Sequence, residues 1–124
     1  MKVKNELILK GVDFCNSLRG LSGAVLKHAI VVNRKVFAES ANTIRESIKE
    51  VFTEDEYNIV TRIEQDPETK LESVDTELIE SAHEKLKEIL SIETDLKFQT
   101  IKIGHVPDDV SDDQMEILTE FFIK

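Results

Sequence analysis

Apolar residues between Leu21 and Phe52 return at steps of three, four or seven: Leu26, Ile30, Phe37, Ala41, Ile44, Ile48 and Val51. Those steps place them on one side of a helix with 3.6 residues per turn, with Asn33 in the same stripe between Ile30 and Phe37. No proline interrupts the run, and no glycine occurs in it after Gly23. The pattern predicts one long amphipathic helix, roughly 45 Å long at 1.5 Å per residue, along which a compact fold lays its other elements.

The remaining elements follow from shorter patterns. Lys2-Val3-Lys4 alternates as an edge strand does, its lysines discouraging further pairing. Asn5 is placed to cap a helix starting at Glu6, and Leu7, Ile8, Val12, Cys15 and Leu18 carry its apolar face to the breakers Gly20, Ser22 and Gly23. Gly11 weakens that helix by up to ~1 kcal/mol relative to alanine, so packing has to hold it in place. After the long helix, Thr53-Glu54-Asp55-Glu56 has the form of a capping box, with Phe52 and Tyr57 at the two staple positions. A new helix is therefore predicted from Glu54. Tyr57, Ile59, Thr61 and Ile63 also alternate as a strand would, so Tyr57–Ile63 is open between the two. The helix is preferred because the cap is specific and the alternation short. Gln65-Asp66-Pro67-Glu68 reads as a turn into an acidic loop through Ser73.

From Asp75 to about Leu90 a second strong helix is predicted, with Leu78, Ile79, Ala82, Leu86, Ile89 and Leu90 on one face. Leu96–Ile103 is the best strand pattern in the chain, ended by Gly104 and Pro107. Ser111-Asp112-Asp113-Gln114 is another capping box, stapled by Val110 and Met115, before a closing helix that buries Met115, Leu118, Phe121 and Phe122. The expected fold is mainly α (α+β), one domain over residues 1–124. A long central amphipathic helix is joined by three or four further helices and a two- or three-strand β element pairing Val3 with Leu96–Ile103.

Composition changes this picture little, being 40% apolar and 33% charged, as in ordinary globular proteins. No apolar run is long enough for a transmembrane helix, so no membrane role is expected. MKVKNELILKG lacks the continuous apolar core and small-residue site of a signal peptide. The single cysteine, Cys15, cannot form an intramolecular disulfide and reads as a small core residue. Together these point to a cytoplasmic protein. Charge is distributed unevenly. Through Lys49 there are nine Lys/Arg against four Asp/Glu, and from Glu50 onward seven against twenty-one. Such a split serves either mutual attraction inside one fold or recognition of a charged partner.

Catalytic signatures are missing. His83-Glu84 is not followed by the second histidine of a zinc-protease helix, and His28 lies in a polar row with Lys35, Asn42 and Lys49. Asp108, Asp109, Asp112 and Asp113 offer hard oxygen ligands, but the spacing, glycine and final glutamate of a calcium loop are absent. Aspartates at a helix start also suit the helix dipole, so capping is preferred over a cation site. There is no glycine-rich phosphate loop, serine elbow or Cys-His signature, and no enzymatic activity, metal or cofactor is expected. The basic row Lys27, Arg34, Lys35, Arg45 and Lys49 on the long helix could face phosphates, but the chain is net −9 and has no nucleic-acid-reading motif, so a solvated helix face is preferred.

Three stretches, NELILKGVDFCNSL, HAIVVNRKVFAESANTIRESI and IETDLKFQTIKIGHVPDDVSDDQMEILTEFF, together resemble in layout small uncharacterised proteins of bacterial phages and prophages. The shared features are a short N-terminal strand and helix, the mid-helix pair Asn33-Arg34, and a last helix opening Ser-x-x-Gln at Ser111 to Gln114. Residues Tyr57 to Ser73 depart from that layout. The resemblance implies origin and layout, and no catalytic residues.

The expected function is a non-enzymatic, acidic protein-interaction module of phage or prophage type. One concrete form is an anti-CRISPR-like inhibitor of host nucleic-acid machinery or antiphage defence, its partner a basic nucleic-acid-binding protein. The binding face would be Glu77, Glu80, Glu84 and Glu88, which share a side of the helix from Asp75. Two rivals stand beside it: a phage structural or assembly protein that self-associates through the long helix, and a nucleic-acid binder using the basic first half.

Overall fold

The computed structural model describes residues 1–58 and 76–124. The fold is mainly helical with one small antiparallel sheet. In chain order the elements are strand β1 (Lys2–Lys4), helices α1 (Asn5–Ile8), α2 (Gly11–Ser17) and α3 (Ala24–Val51), and a helical segment α4 (54–58). Helix α5 (Thr76–Ser91), strand β2 (Glu93–Asp95), a 3-10 turn (Ile103–His105) and helix α6 (Asp112–Phe121) follow. They gather into two compact units, one of Met1–Ala41 with Glu93–Lys124 and the other of Asn42–Ile92, with α3 contributing to both.

The stripe read from the sequence is the buried side of α3. Leu26, Ile30, Asn33, Phe37, Ala41, Ile44 and Ile48 are all buried, and Ala29 joins them. Val51 does not: it is 48% exposed, and Phe52, just past the helix end, is buried instead. The helix stops there because the Thr53 cap begins a new one, so the periodic position passes to solvent.

In the first unit, β1 and β2 pair antiparallel with Lys2 opposite Asp95, Val3 opposite Thr94 and Lys4 opposite Glu93. Val3 is buried while the lysines are exposed, so opposite charges meet across the outer face and the valine faces the core. The expected helix from Glu6 to Leu18 is instead two helices with a turn at Leu9-Lys10 between them. Asn5 is not a cap. It is the first residue of α1, buried, and its Oδ1 accepts a hydrogen bond from the Thr94 hydroxyl at 2.8 Å. The break falls where the buried backbone of Gly11 comes against the ring of Phe37. A Cβ at Gly11 would lie 2.0 Å from Phe37 Cδ1. Glycine is present at this position for close approach.

Phe37 is part of an aromatic group that closes the core of this unit. Its ring centroid is 4.9 Å from Phe98 and, edge-on, 5.5 Å from Phe121; Phe14 stacks on Phe121 at 5.9 Å. Such ring pairs add about 0.5–1.5 kcal/mol beyond the area they bury.

The strand expected at Leu96–Ile103, and its pairing with Val3, are not formed. β1 is only three residues long and is paired with Glu93–Asp95. Beyond it the backbone finds other partners. The Asn33 side chain takes both polar groups of Gln99: the Gln99 N–H donates to Asn33 Oδ1 at 2.7 Å, and Asn33 Nδ2 donates to the Gln99 carbonyl at 3.1 Å. Ile101 forms an isolated parallel bridge with Ile123. Burial alternates only from Leu96 to Gln99: Leu96 is buried and Phe98 half-buried, then Thr100 is exposed and Ile101 buried, so the strand period is lost before the bridge at Ile101.

In the second unit, Ile44, Ile48, Phe52, Ala82 and Ile89 are buried. α5 exposes Glu77, Glu80, Glu84, Lys87 and Glu88, as its pattern requires. Tyr57 and Asn58 are helical. The rest of the helix-or-strand question at Tyr57–Ile63, and the turn and loop at Gln65–Ser73, lie outside the described residues. No helix among the described residues is long and apolar enough to cross a membrane.

Two predictions follow from the first unit. Gly11→Ala should destabilise the protein by about 1–3 kcal/mol, the usual cost of overpacking. Gly20→Ala should be near neutral, since an added Cβ there meets nothing within 4 Å. Equal denaturation midpoints for the two variants would contradict the Phe37 contact. Asn33→Leu keeps the branched shape but strips Gln99 of both partners, and should cost about 1–3 kcal/mol or more in urea unfolding. A neutral result would show that water replaces the amide.

Candidate functional site

The carboxylate row predicted from the sequence exists as a surface. Glu77, Glu80, Glu84 and Glu88 are exposed on α5. They recur at i, i+3, i+7 and i+11, a row roughly 16 Å long at the helical rise. Lys87 is exposed among these glutamates, and two features limit further neutralisation of the row. Lys85, the nearest cation in sequence to Glu84, is turned to Glu56, whose Oε1 accepts from Lys85 Nζ at 2.8 Å. The last turn of α5 contains no basic residue, although Glu88 stands there. An acid at a helix C-terminus opposes the helix dipole by about 0.3–1 kcal/mol, so local helix stability does not account for it.

Glu56 itself was legible only as a cap. The box forms as expected: the Glu56 N–H donates to Thr53 Oγ1 at 3.2 Å, and the Thr53 N–H donates to Glu56 Oε1 at 3.1 Å. The carboxylate is also 2% exposed, and the Ser81 hydroxyl donates to its Oε2 at 3.0 Å. α4 and α5 are thereby joined by a buried, fully hydrogen-bonded anion. The Lys85 ammonium, followed by the Thr53 amide, holds the carboxyl at about 2 against its usual 4.5, with burial opposing and the Ser81 and Thr53 hydroxyls assisting. The hint in the sequence is the i, i+4 pair Ser81 and Lys85, two polar residues that point to one partner.

The other candidates are dispersed. Asp108, Asp109, Asp112 and Asp113 are all exposed, and Asp112 and Asp113 occupy the first turn of α6. Ser111 accepts from the Gln114 amide at 3.2 Å and Gln114 Oε1 accepts from the Ser111 amide at 3.0 Å, completing the second capping box. Among the described residues no group of three His, Cys, Asp or Glu could hold a metal. His28, His83 and His105 are exposed. Cys15 is fully buried, and burial, partly offset by the Arg34 charge, pushes its thiol up to about 11. At neutral pH it is protonated and unsuited to act as a nucleophile. The basic row is divided between the units, Lys27, Arg34 and Lys35 in the first and Arg45 and Lys49 in the second.

Because the folded Glu56 pKa is depressed, its contribution to stability is present above pH 4.5 and is lost as the pH falls toward 2. Glu56→Gln should cost about 1–3 kcal/mol at pH 7. The cost should shrink in urea titrations as the pH falls through that window. Parallel stability curves for variant and wild type would exclude Glu56 from the acid response.

Comparison of the chain with protein-family models, with curated proteins and with solved structures finds no match in any of the three.

Proposed function

We propose that the protein is a non-enzymatic interaction module whose acidic α5 face engages a basic, nucleic-acid-gripping protein. One observation carries this reading: the negative charge belongs to one unit. Asn42–Ile92 holds six Lys/Arg against fourteen Asp/Glu, a net −8, whereas the other unit holds ten against eleven, a net −1. In the first unit the basic residues of the N-terminal segment are balanced by the acidic residues of the C-terminal one. In the second the excess is left over, and Glu80, Glu84 and Glu88 stand exposed on α5.

A folded row of carboxylates can occupy a channel built for phosphates, because it supplies closely spaced negative charge with little ordering left to do. The resemblance to phage and prophage proteins directs this toward inhibition of host nucleic-acid enzymes or of antiphage defence. Charges at such an interface mainly speed association, and their effect is screened beyond about 8 Å at physiological ionic strength.

The test reverses the middle of the row. Glu80→Lys combined with Glu84→Lys should reduce capture of nucleic-acid-binding proteins from nuclease-treated bacterial lysate by at least about tenfold. The salt dependence of residual capture should flatten and the melting temperature should stay near wild type. Undiminished capture would clear the α5 face. Loss of capture only with Lys35→Glu or Arg45→Glu would move the site to the basic row.

A further inference from the structure

The unit made of Met1–Ala41 and Glu93–Lys124 contains a small cavity of about 150 Å³ lined by Arg19, Lys27, Ile30, Val31 and Arg34. Four of these come from one face of α3, at i, i+3, i+4 and i+7, and Arg19 follows α2. The residues that line this cavity thus carry two guanidinium groups and one ammonium beside an apolar wall. Among the described residues none of the three has a hydrogen bond or an ion-pairing carboxylate. Arg34 is half-buried as well, so it gives up water without gaining a protein partner. Val31 stays 44% exposed beside it, while Ile30 is buried.

Three like charges around one cavity repel, and a dianion bound among them removes that repulsion. Guanidinium pairs match the oxygens of a phosphate two at a time, and the ammonium adds a point charge. The volume limits what enters. Sites that enclose a whole drug-sized ligand run to roughly 300–1,000 Å³, so this one takes a single charged group and the atoms next to it. A nucleic-acid strand fits less well, because its binders collect many phosphate contacts on a basic surface and this unit is net −1. We propose that the Arg19–Lys27–Arg34 cavity binds the terminal phosphate of a small phosphorylated ligand, with Ile30 and Val31 against the adjoining apolar atoms. This site is independent of the α5 face.

Titration of the full chain with inorganic phosphate and with adenosine monophosphate, followed by backbone amide NMR, tests the proposal. Both should produce saturable shifts centred on Arg19, Lys27 and Val31 that sodium chloride at equal ionic strength does not. Tighter binding of the monophosphate would identify the ester, and equal binding the anion itself; either supports the site. Arg34→Gln and Arg19→Gln should each weaken binding by at least about tenfold, as loss of a charge-assisted pair does. Lys35→Gln, outside the cavity, should not. Arg19 is exposed, so its variant keeps the test sound even if Arg34→Gln lowers stability. Shifts that follow ionic strength alone, or affinities unchanged in both arginine variants, would overturn the proposal. So would binding confined to a thymidine oligonucleotide with a steep salt slope.

Discussion

The first unit depends on a side-chain amide placed where a hydrophobic residue would be expected. Asn33 lies fully buried in the apolar stripe of α3, between Ile30 and Phe37. An amide there is costly unless the need of each of its polar atoms for a partner is met close by. Gln99 meets it with both backbone groups, so the amide behaves toward that residue as a neighbouring strand would. Position and direction of the segment after β2 follow from this pairing. Phe98 then comes to rest against Phe37 and Phe121, and Ile101 comes within reach of Ile123.

The two capping boxes show a related economy. In each, the side chain three residues after the cap satisfies an orphan amide at a helix start. In each it also reaches a second element. Glu56 is held by Ser81 and Lys85 of α5, and Gln114 Nε2 donates to the Ser17 carbonyl of α2 at 3.0 Å. A local feature that sets where a helix begins thus also sets what it packs against. In Glu56 the arrangement confines one carboxylate to the interior and occupies Lys85, which leaves the outer carboxylates of α5 less neutralised.

Folding also redistributes the charge. Along the chain the contrast is between a basic beginning and an acidic remainder. In the structure the acidic C-terminal segment belongs with the basic N-terminal one, and their charges nearly cancel. The net negative charge falls almost wholly in the Asn42–Ile92 unit. The proposed phosphate cavity is a local exception in the balanced unit: three cationic residues line it, and among the described residues none of them has an ion-pairing carboxylate.

Periodicity and capping alone determined the long helix, the helix from residue 76, both capping boxes, the short N-terminal strand and the exposed glutamate row. These features depend on residues within a few positions of one another, where the helical repeat and cap geometry leave little freedom. Tertiary structure decided the rest. Leu96–Ile103 has the composition of a strand, but a strand needs a partner, and Asn33, far away in sequence, had already taken the backbone of Gln99. Asn5 has the composition of a cap, but Thr94 drew it into the interior. Gly11 looked like a weakness in one helix, yet it stands between two because the Phe37 ring needs the space of a missing Cβ. Burial of Glu56 and the placing of Arg19 and Arg34 along one cavity have the same origin. Each joins residues distant in the chain, and no local pattern encodes which distant residue will be the partner.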